Sequence, residues 1–444
     1  MSWLQQPQPS ARSGRSLALS SILPGMSLTW ALAEPSRPAA RPQPAHSSFY
    51  IPGLDGVRAC AFLMVFCAHA LRGAAVARFV PATLGITVFF FLSGYLIPTL
   101  LRRERALTGS VNLRDFYLRR ALRILAPLYV VYALAAAVAR FALHDSAGNG
   151  LGLLSVFLQC YNYTGQLLGR AQTPDGMTVL WSLAIEEHFY LLFPVAYLLL
   201  RRLAPRRMIA VFTAFCLAEL AWRFAVVLFL HLPHGWAAFA TDARLDSMLW
   251  GCLLALRNNP VHSHHGHRLF PDSSILPRDY TRLTFFVAAA AFVLVTLPQS
   301  PLYKDTLRYT LQALDLYLLF SYLVASPGSL AVRWLEWPAL RYLGRISYGL
   351  YLCHFFILEA LLHHLPAALA GHVTITAPLG LVLSVLFATL LRVALELPLQ
   401  RLRTRLRHAG MPPLNRTTVF LKSARCRTVE VAAASTFLLH AGSP

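Results

Sequence analysis

The run Trp181-Ser182-Leu183-Ala184-Ile185-Glu186-Glu187-His188-Phe189-Tyr190 places two carboxylates and an imidazole inside an apolar stretch that continues to Leu200. Ionisable groups at bilayer depth are expensive, so they face a protein interior or a water-filled cavity and mark a site or a pathway. Glu186 and Tyr190 are spaced to share a helix face, with Ser182 one turn earlier, while Glu187 points roughly 100° away. The two acids are therefore not expected to share one role. A carboxylate paired with a histidine fixes the ring tautomer and raises its basicity, an arrangement that activates hydroxyls. The plainer alternative is a buried Glu hydrogen-bonded between helices.

A second constellation begins at Leu54-Asp55-Gly56-Val57-Arg58 and ends at His69. Arg58 and His69 are separated by about 16 Å along a helix, close to three turns, and so lie near one face. Such spacing suits an anion held at one end and a proton acceptor further along. Arg58 as a topology anchor and His69 as an outer-end residue are the structural alternatives. A third group is Arg119-Arg120-Ala121-Leu122-Arg123, where Arg120 and Arg123 stand one turn apart. Paired guanidinium groups match phosphate, although short arginine clusters also set membrane topology.

Other residues carry less. Ser93 and Gly94 in Phe89-Phe90-Phe91-Leu92-Ser93-Gly94-Tyr95 point to close helix packing, with Ser93 read as structural. Arg244 and Asp246 suit either a polar acceptor or an interfacial position. His354, in Ile346-Ser347-Tyr348-Gly349-Leu350-Tyr351-Leu352-Cys353-His354, lies mid-span, with structure and function equally open. The seven cysteines form no CxxC pair and read as small apolar residues. His262, His264, His265 and His267 cluster without cysteine or many acids nearby, so no functional metal site is expected.

These groups need helices to hold them. Of the 444 residues, 56% are hydrophobic and 13% charged, and the mean hydropathy is +0.52. Soluble chains carry about 25% charge, so the composition is that of an all-α, polytopic membrane bundle. About ten spans are predicted, near 57–76, 80–101, 122–142, 178–200, 208–230, 242–257, 283–299, 308–326, 344–363 and 375–397. The net charge of +21 comes almost wholly from arginines in short clusters between these spans, a pattern that argues against nucleic acid as a partner. With ten spans the clusters at 102–123, 201–207, 257–282, 333–345 and 401–407 all fall on one side, which predicts both termini in the cytoplasm. Residues 1–48 read as a disordered tail, 49–407 as the membrane domain and 408–444 as a second tail. Residues 12–33 imitate a signal peptide, but Pro24 and Gly25 interrupt the apolar part, and cleavage would conflict with a cytoplasmic N-terminus.

Five motifs, in order, resemble the membrane-bound acyltransferase 3 family across roughly residues 50–402: LDGVRA with His69 (54–69), GITVFFFLSGYL (85–96), RRALRILAPLY (119–129), WSLAIEEHFYLLFP (181–194) and ISYGLYLCHF (346–355). Members transfer acyl groups, commonly acetyl, to hydroxyls of surface glycans or of smaller metabolites. The resemblance implies His69 as the essential histidine and Glu186 as the characteristic acid. It implies Asp55, Arg58, Arg120 and Arg123 on the substrate side, with the arginines engaging acyl-CoA from the cytoplasm. No bound cofactor is implied; acyl-CoA, most simply acetyl-CoA, is the donor substrate. Some members carry a further hydrolase-like module after the last span, and none follows Arg407 here, so no in-chain relay to such a module is expected. Ala59-Cys60 replaces the usual Gly after the arginine, and His188 stands where Gln is common, which leaves the catalytic groups in place but bears on packing or specificity.

The expected chemistry is O-acylation at the plasma (inner) membrane, with His69 as base or acyl carrier and Glu186 orienting His69 or an acceptor hydroxyl. Direct transfer and an acyl-histidine relay remain equally open. Acceptor contacts are expected from the outer loop 143–177, which holds Tyr161, Asn162, Tyr163 and Asp175. The competing class is a proton-coupled transporter or flippase using the same buried Glu and His residues. The absence of an inverted repeat and of paired broken helices argues mildly against it.

Overall fold

The computed structural model describes residues 50–72, 82–142, 150–169, 172–230, 232–233, 235–257, 259, 282–366, 369 and 372–402. The tails at 1–48 and 408–444, and the cluster His262 to His267, lie outside the described residues. Every regular element among the described residues is helical: α1 (Leu54–Ala70), α2 (Ala82–Thr108), α3 (Leu113–Arg123), α4 (Leu125–Phe141), α5 (Gly150–Phe157), α6 (Tyr161–Leu167), α7 (Trp181–Leu200) and α8 (Pro205–Ala225). They continue with α9 (Trp236–Phe239), α10 (Asp246–Arg257), α11 (Arg282–Thr296), α12 (Pro301–Asp305), α13 (Arg308–Ala325), α14 (Leu330–Leu335), α15 (Pro338–His364) and α16 (Val373–Leu391).

Among the described residues six helical segments are long and apolar enough to cross a membrane: Ala82–Thr108, Leu113–Phe141, Met177–Leu200, Pro205–Leu230, Pro338–His364 and Val373–Leu402. They coincide with six of the ten predicted spans. The predicted spans 57–76, 242–257 and 283–299 correspond to the shorter helices α1, α10 and α11, of 17, 12 and 15 residues. The span at 308–326 corresponds to α13, whose Thr310, Gln312 and Ser321 are buried and polar. These side chains bond to neighbouring helices or to their own backbone, so α13 need not be as apolar as a helix bathed in lipid.

Close backbone contact sets the crossings. A Cβ on Gly94 of α2 would stand 1.9 Å from the Met248 carbonyl oxygen of α10, and one on Gly251 of α10 would stand 2.3 Å from the Phe91 carbonyl oxygen. Only glycine at both positions lets the two helices meet backbone to backbone, the packing expected of small residues in membrane bundles. Around α1, an apolar core of Phe62, Phe66, Ile346, Leu350, Leu358 and Ala388 joins α1, α15 and α16.

The predicted span at 122–142 begins differently from its hydropathy reading. The helix is interrupted at Ile124, between α3 and α4, although the Ile124 N–H still bonds to the Arg120 carbonyl at 2.8 Å and the Leu128 N–H to the Ile124 carbonyl at 3.1 Å. Pro127 has no N–H to offer the Arg123 carbonyl, and its ring crowds that oxygen, which distorts the helix there. Asn112 caps α3 by accepting from the Asp115 N–H at 3.1 Å. Arg120 and Arg123 sit in the last turn of α3, at the polar start of the continuous Leu113–Phe141 segment.

Side-chain bonds tie helix ends together. At one end Gly53 N–H donates to Glu336 Oε1 at 2.6 Å, and Arg105 donates to the Arg201 carbonyl at 3.5 Å. At the opposite end of α1, Arg72 pairs with Glu359 of α15 through both carboxylate oxygens. The end of α8 is fastened to the starts of α10 and α13 by Arg223. Its guanidinium, fully buried, reaches Thr306 O (2.9 Å), Ala243 O (2.9 Å), Asp246 Oδ2 (2.7 Å) and Thr310 Oγ1.

Candidate active site

Arg58 and His69 project from α1 toward the same neighbour, α15. Arg58 Nε donates to Ser347 Oγ at 3.3 Å, and His69 Nδ1 lies 2.9 Å from His354 Nε2. Ser347, Tyr351 and His354 recur at helical spacing and form one polar stripe on α15. Its middle member, Tyr351, meets Ser182 of α7, with the two hydroxyl oxygens 2.6 Å apart. Tyr351 also donates to the Val179 carbonyl at 3.0 Å. One face of α15 thus meets α1 twice and the start of α7 once.

His69 is half-buried. Its ring stacks on His354 (centroids 5.2 Å apart) and on Phe355 (4.3 Å). The Arg72 guanidinium lies 5.3 Å from the Phe355 ring centroid, so the end of the α1–α15 pair is closed by a stack leading from His69 to an ion pair. Asp175 is exposed and within electrostatic reach of Arg72.

Glu186 belongs to a different group. Tyr190 donates to Glu186 Oε2 at 2.9 Å, and the Ser93 hydroxyl lies 2.7 Å from the Tyr190 oxygen. Because the phenolic hydrogen is committed to Glu186, Ser93 must donate to Tyr190. A Ser93–Tyr190–Glu186 chain therefore joins α2 to α7. Arg120 stacks over the Tyr190 ring at 5.0 Å and over Phe116 at 5.7 Å. Arg58 and Arg120 both act electrostatically on Glu186, while Arg123 feels Arg58, Asp55 and Glu396. Asp55 itself faces Arg345 at 3.6 Å.

The structure therefore brings Arg58, Arg120, Arg123, Asp55 and Glu186 into one charged neighbourhood near the start of α1. His69 stands away from it, toward the end of α1. The group bonded to the His69 ring is the His354 imidazole and not the Glu186 carboxylate. The i, i+4 spacing of Glu186 and Tyr190 was visible in the chain, and so was the Ser347–Tyr351–His354 stripe. The pairing of either with its partner helix was not.

Several other sequence candidates have partners inside the bundle, although Nε and Nη1 of Arg244 are buried without a hydrogen-bond partner. Arg244 and Asp246 are fully buried; Arg244 stacks on Tyr309 at 3.6 Å and donates to Thr87, and Asp246 is held by Arg223 and Thr310. Around α6, Tyr161 OH meets Thr173 at 3.1 Å and Asn162 donates to Thr241 at 3.0 Å. Tyr163 donates to Asp242 at 2.8 Å, and the same carboxylate accepts from the indoles of Trp222 (2.6 Å) and Trp236 (3.0 Å). His188 Nδ1 lies 2.7 Å from Thr241 Oγ1. Among the described residues no cluster of three or more His, Cys, Asp or Glu side chains is arranged to hold a metal ion.

A family model described as an acyltransferase domain matches residues 51–393. The chain is similar to the protein named "Putative O-acetyltransferase" in Staphylococcus aureus strain COL, 28% identical over 324 residues that cover 70% of this chain and 51% of that protein. It is also similar to O-acetyltransferase OatA of Staphylococcus aureus strain NCTC 8325, 29% identical over 326 residues, with the same coverage of each chain. The chain thus spans about half the length of the curated relatives it matches. No solved structure matches. The domain match takes in α1, with Arg58 and His69, the polar stripe of α15 and the Ser93–Tyr190–Glu186 chain, and the protein belongs to the acyltransferase 3 family.

Proposed function

We propose that this chain is an integral membrane O-acyltransferase. It moves an acyl group, most simply acetyl, from acyl-CoA to a hydroxyl of a carbohydrate or related metabolite. The observation that carries the reading is the polarity of α1: a guanidinium near one end and an imidazole near the other, each bonded to the same helix, α15. Arg58, Arg120 and Arg123 supply the positive field for the CoA phosphates. Glu186, held by Tyr190, balances part of that charge and keeps the guanidinium groups in place. The pantetheine arm runs along α1 toward His69.

In direct transfer, the simpler of the two routes, the acceptor oxygen attacks the thioester carbon at His69 as the imidazole takes the hydroxyl proton. The carbon–sulfur bond then breaks, and the CoA thiolate recovers the proton as free thiol. The names of the Staphylococcus aureus relatives support acetyl as the group to try first. The arginine clusters and the joined helix ends support a plasma-membrane domain that crosses ten times with both termini in the cytoplasm. In that topology the short helices α1, α10 and α11 and the more polar α13 are crossings shielded by the others.

The test is acyl-CoA thioester consumption by purified protein in nanodiscs, with acetyl-CoA and a panel of short acyl-CoAs, candidate glycan and macrolide acceptors, and His69→Ala beside wild type. Release of free CoA that depends on His69 is the expected result. Neither release nor binding with any donor would overturn the reading in favour of a proton-coupled transporter.

A further inference from the structure

We infer that His354 is a positioning residue that fixes which ring nitrogen of His69 does the chemistry; the inference rests on the acyl-transfer reading above. His354 is fully buried, and its ring is boxed by Phe62 edge-on at 5.6 Å, by Tyr351 at 5.7 Å and by Phe355 at 6.4 Å. Its Nδ1 lies 2.8 Å from the Tyr351 carbonyl oxygen and 3.2 Å from that of Leu350. Carbonyl oxygens only accept, so Nδ1 carries the hydrogen. In a neutral ring Nε2 then holds a lone pair, and this is the atom that faces His69 Nδ1 at 2.9 Å. His69 must donate from Nδ1, which leaves the lone pair on its own Nε2. The direction of the whole chain is set by two backbone carbonyls of α15.

This device differs from a histidine–carboxylate pair. Among the described residues no carboxylate bonds to either ring, so the partner of His69 is an imidazole and not an anion. His354 acts by hydrogen-bond direction and by ring orientation, as an outer-shell partner does for a metal-bound histidine. When Nε2 of His69 takes the acceptor proton, its Nδ1 hydrogen stays on the bond to His354 Nε2. The new positive charge is then shared along a chain that ends at the carbonyl dipoles of Leu350 and Tyr351. The thiolate later removes the proton from Nε2, and the pair returns to its starting state.

The decisive variants are His354→Gln, His354→Asn and His354→Phe in the full chain. Glutamine can set its carbonyl oxygen near the position of Nε2 and accept from His69. Asparagine is one methylene shorter and reaches only the level of Nδ1, and phenylalanine keeps the ring volume without an acceptor. The Asn and Phe variants are expected to lose about 10²-fold in kcat with donor KM little changed, while Gln retains activity within about tenfold of wild type. Side-chain 15N spectra of histidine-labelled wild type should show His69 protonated at Nδ1 and bare at Nε2. Wild-type kcat in the Asn or Phe variant, or a wild-type spectrum with the proton on Nε2 of His69, would overturn the assignment. The spectrum decides the tautomer even if those variants fail to fold. A wild type that consumes no acyl-CoA would refute the functional reading and leave the spectroscopic result standing.

Discussion

Replacing Tyr190 by Phe tests the chain that connects Ser93 of α2 to the acid of α7. The substitution keeps the ring over which Arg120 stacks at 5.0 Å, so the cation–π contact survives. It removes one oxygen that serves two bonds: a donor to Glu186 at 2.9 Å and an acceptor from Ser93 at 2.7 Å. A hydrogen bond to a charged group is worth about 1.5–3 kcal/mol, and the orphaned Ser93 hydroxyl adds roughly 1 kcal/mol when it finds no new acceptor. If the first term is felt in the transition state, kcat/KM falls by about 10- to 100-fold, at about 1.4 kcal/mol per tenfold. The assay is acetyl-CoA consumption in nanodiscs for wild type, Ser93→Ala, Tyr190→Phe and the double variant. Ser93 bonds to the Tyr190 oxygen and also lies within hydrogen-bonding reach of Glu186, so its removal should cost less, but not nothing, once that oxygen is gone, and the cycle should show a coupling of about 0.5–3 kcal/mol. Full activity in Tyr190→Phe, or strict additivity in the cycle, would refute the proposal that this chain supports the charged neighbourhood.

Three further outcomes follow from other contacts. Gly94→Leu must separate α2 from α10, because a Cβ there already meets the Met248 carbonyl at 1.9 Å; about 1–3 kcal/mol or more of stability is lost, read as a lower melting temperature in detergent, and an unchanged value would contradict the crossing. Asp246→Asn leaves the buried Arg223 without its counter-charge, with an expected loss of about 3–5 kcal/mol, measured by the same melting assay, while donor KM of the folded fraction stays at the wild-type value. Arg120→Ala with Arg123→Ala should weaken donor binding more than it lowers the rate at saturation. Isothermal titration with non-hydrolysable acetyl-CoA reads this directly, and an unchanged affinity would remove the arginines from the phosphate site.

Much of the helical organisation is legible in the chain, because hydropathy and local spacing act within one segment. The apolar runs, the shared face of Glu186 and Tyr190, the alignment of Arg58 with His69 and the small residues at Ser93–Gly94 all follow from 3.6 residues per turn. The same rule is blind to partners. His69 and His354 are 285 residues apart, and nothing in the spacing of either helix says that their faces meet. The expectation that Glu186 orients either His69 or an acceptor hydroxyl drew, for its first alternative, on depth along two separate helices. The packed bundle instead sets Glu186 beside Tyr190, Arg58 and Arg120.

What the sequence by itself determined is the class of the protein: apolar helices, arginines clustered between them, the family motifs in order and a short set of ionisable residues too expensive to bury without purpose. Only the tertiary structure decided how those residues divide. One group gathers arginines around a carboxylate near the start of α1. The other is a histidine pair whose proton direction is dictated by the backbone of α15. The physical reason is that a helix specifies which side chains share a face, whereas the partner of that face is chosen by backbone approach at sites such as Gly94 and Gly251 and by packing across the whole bundle.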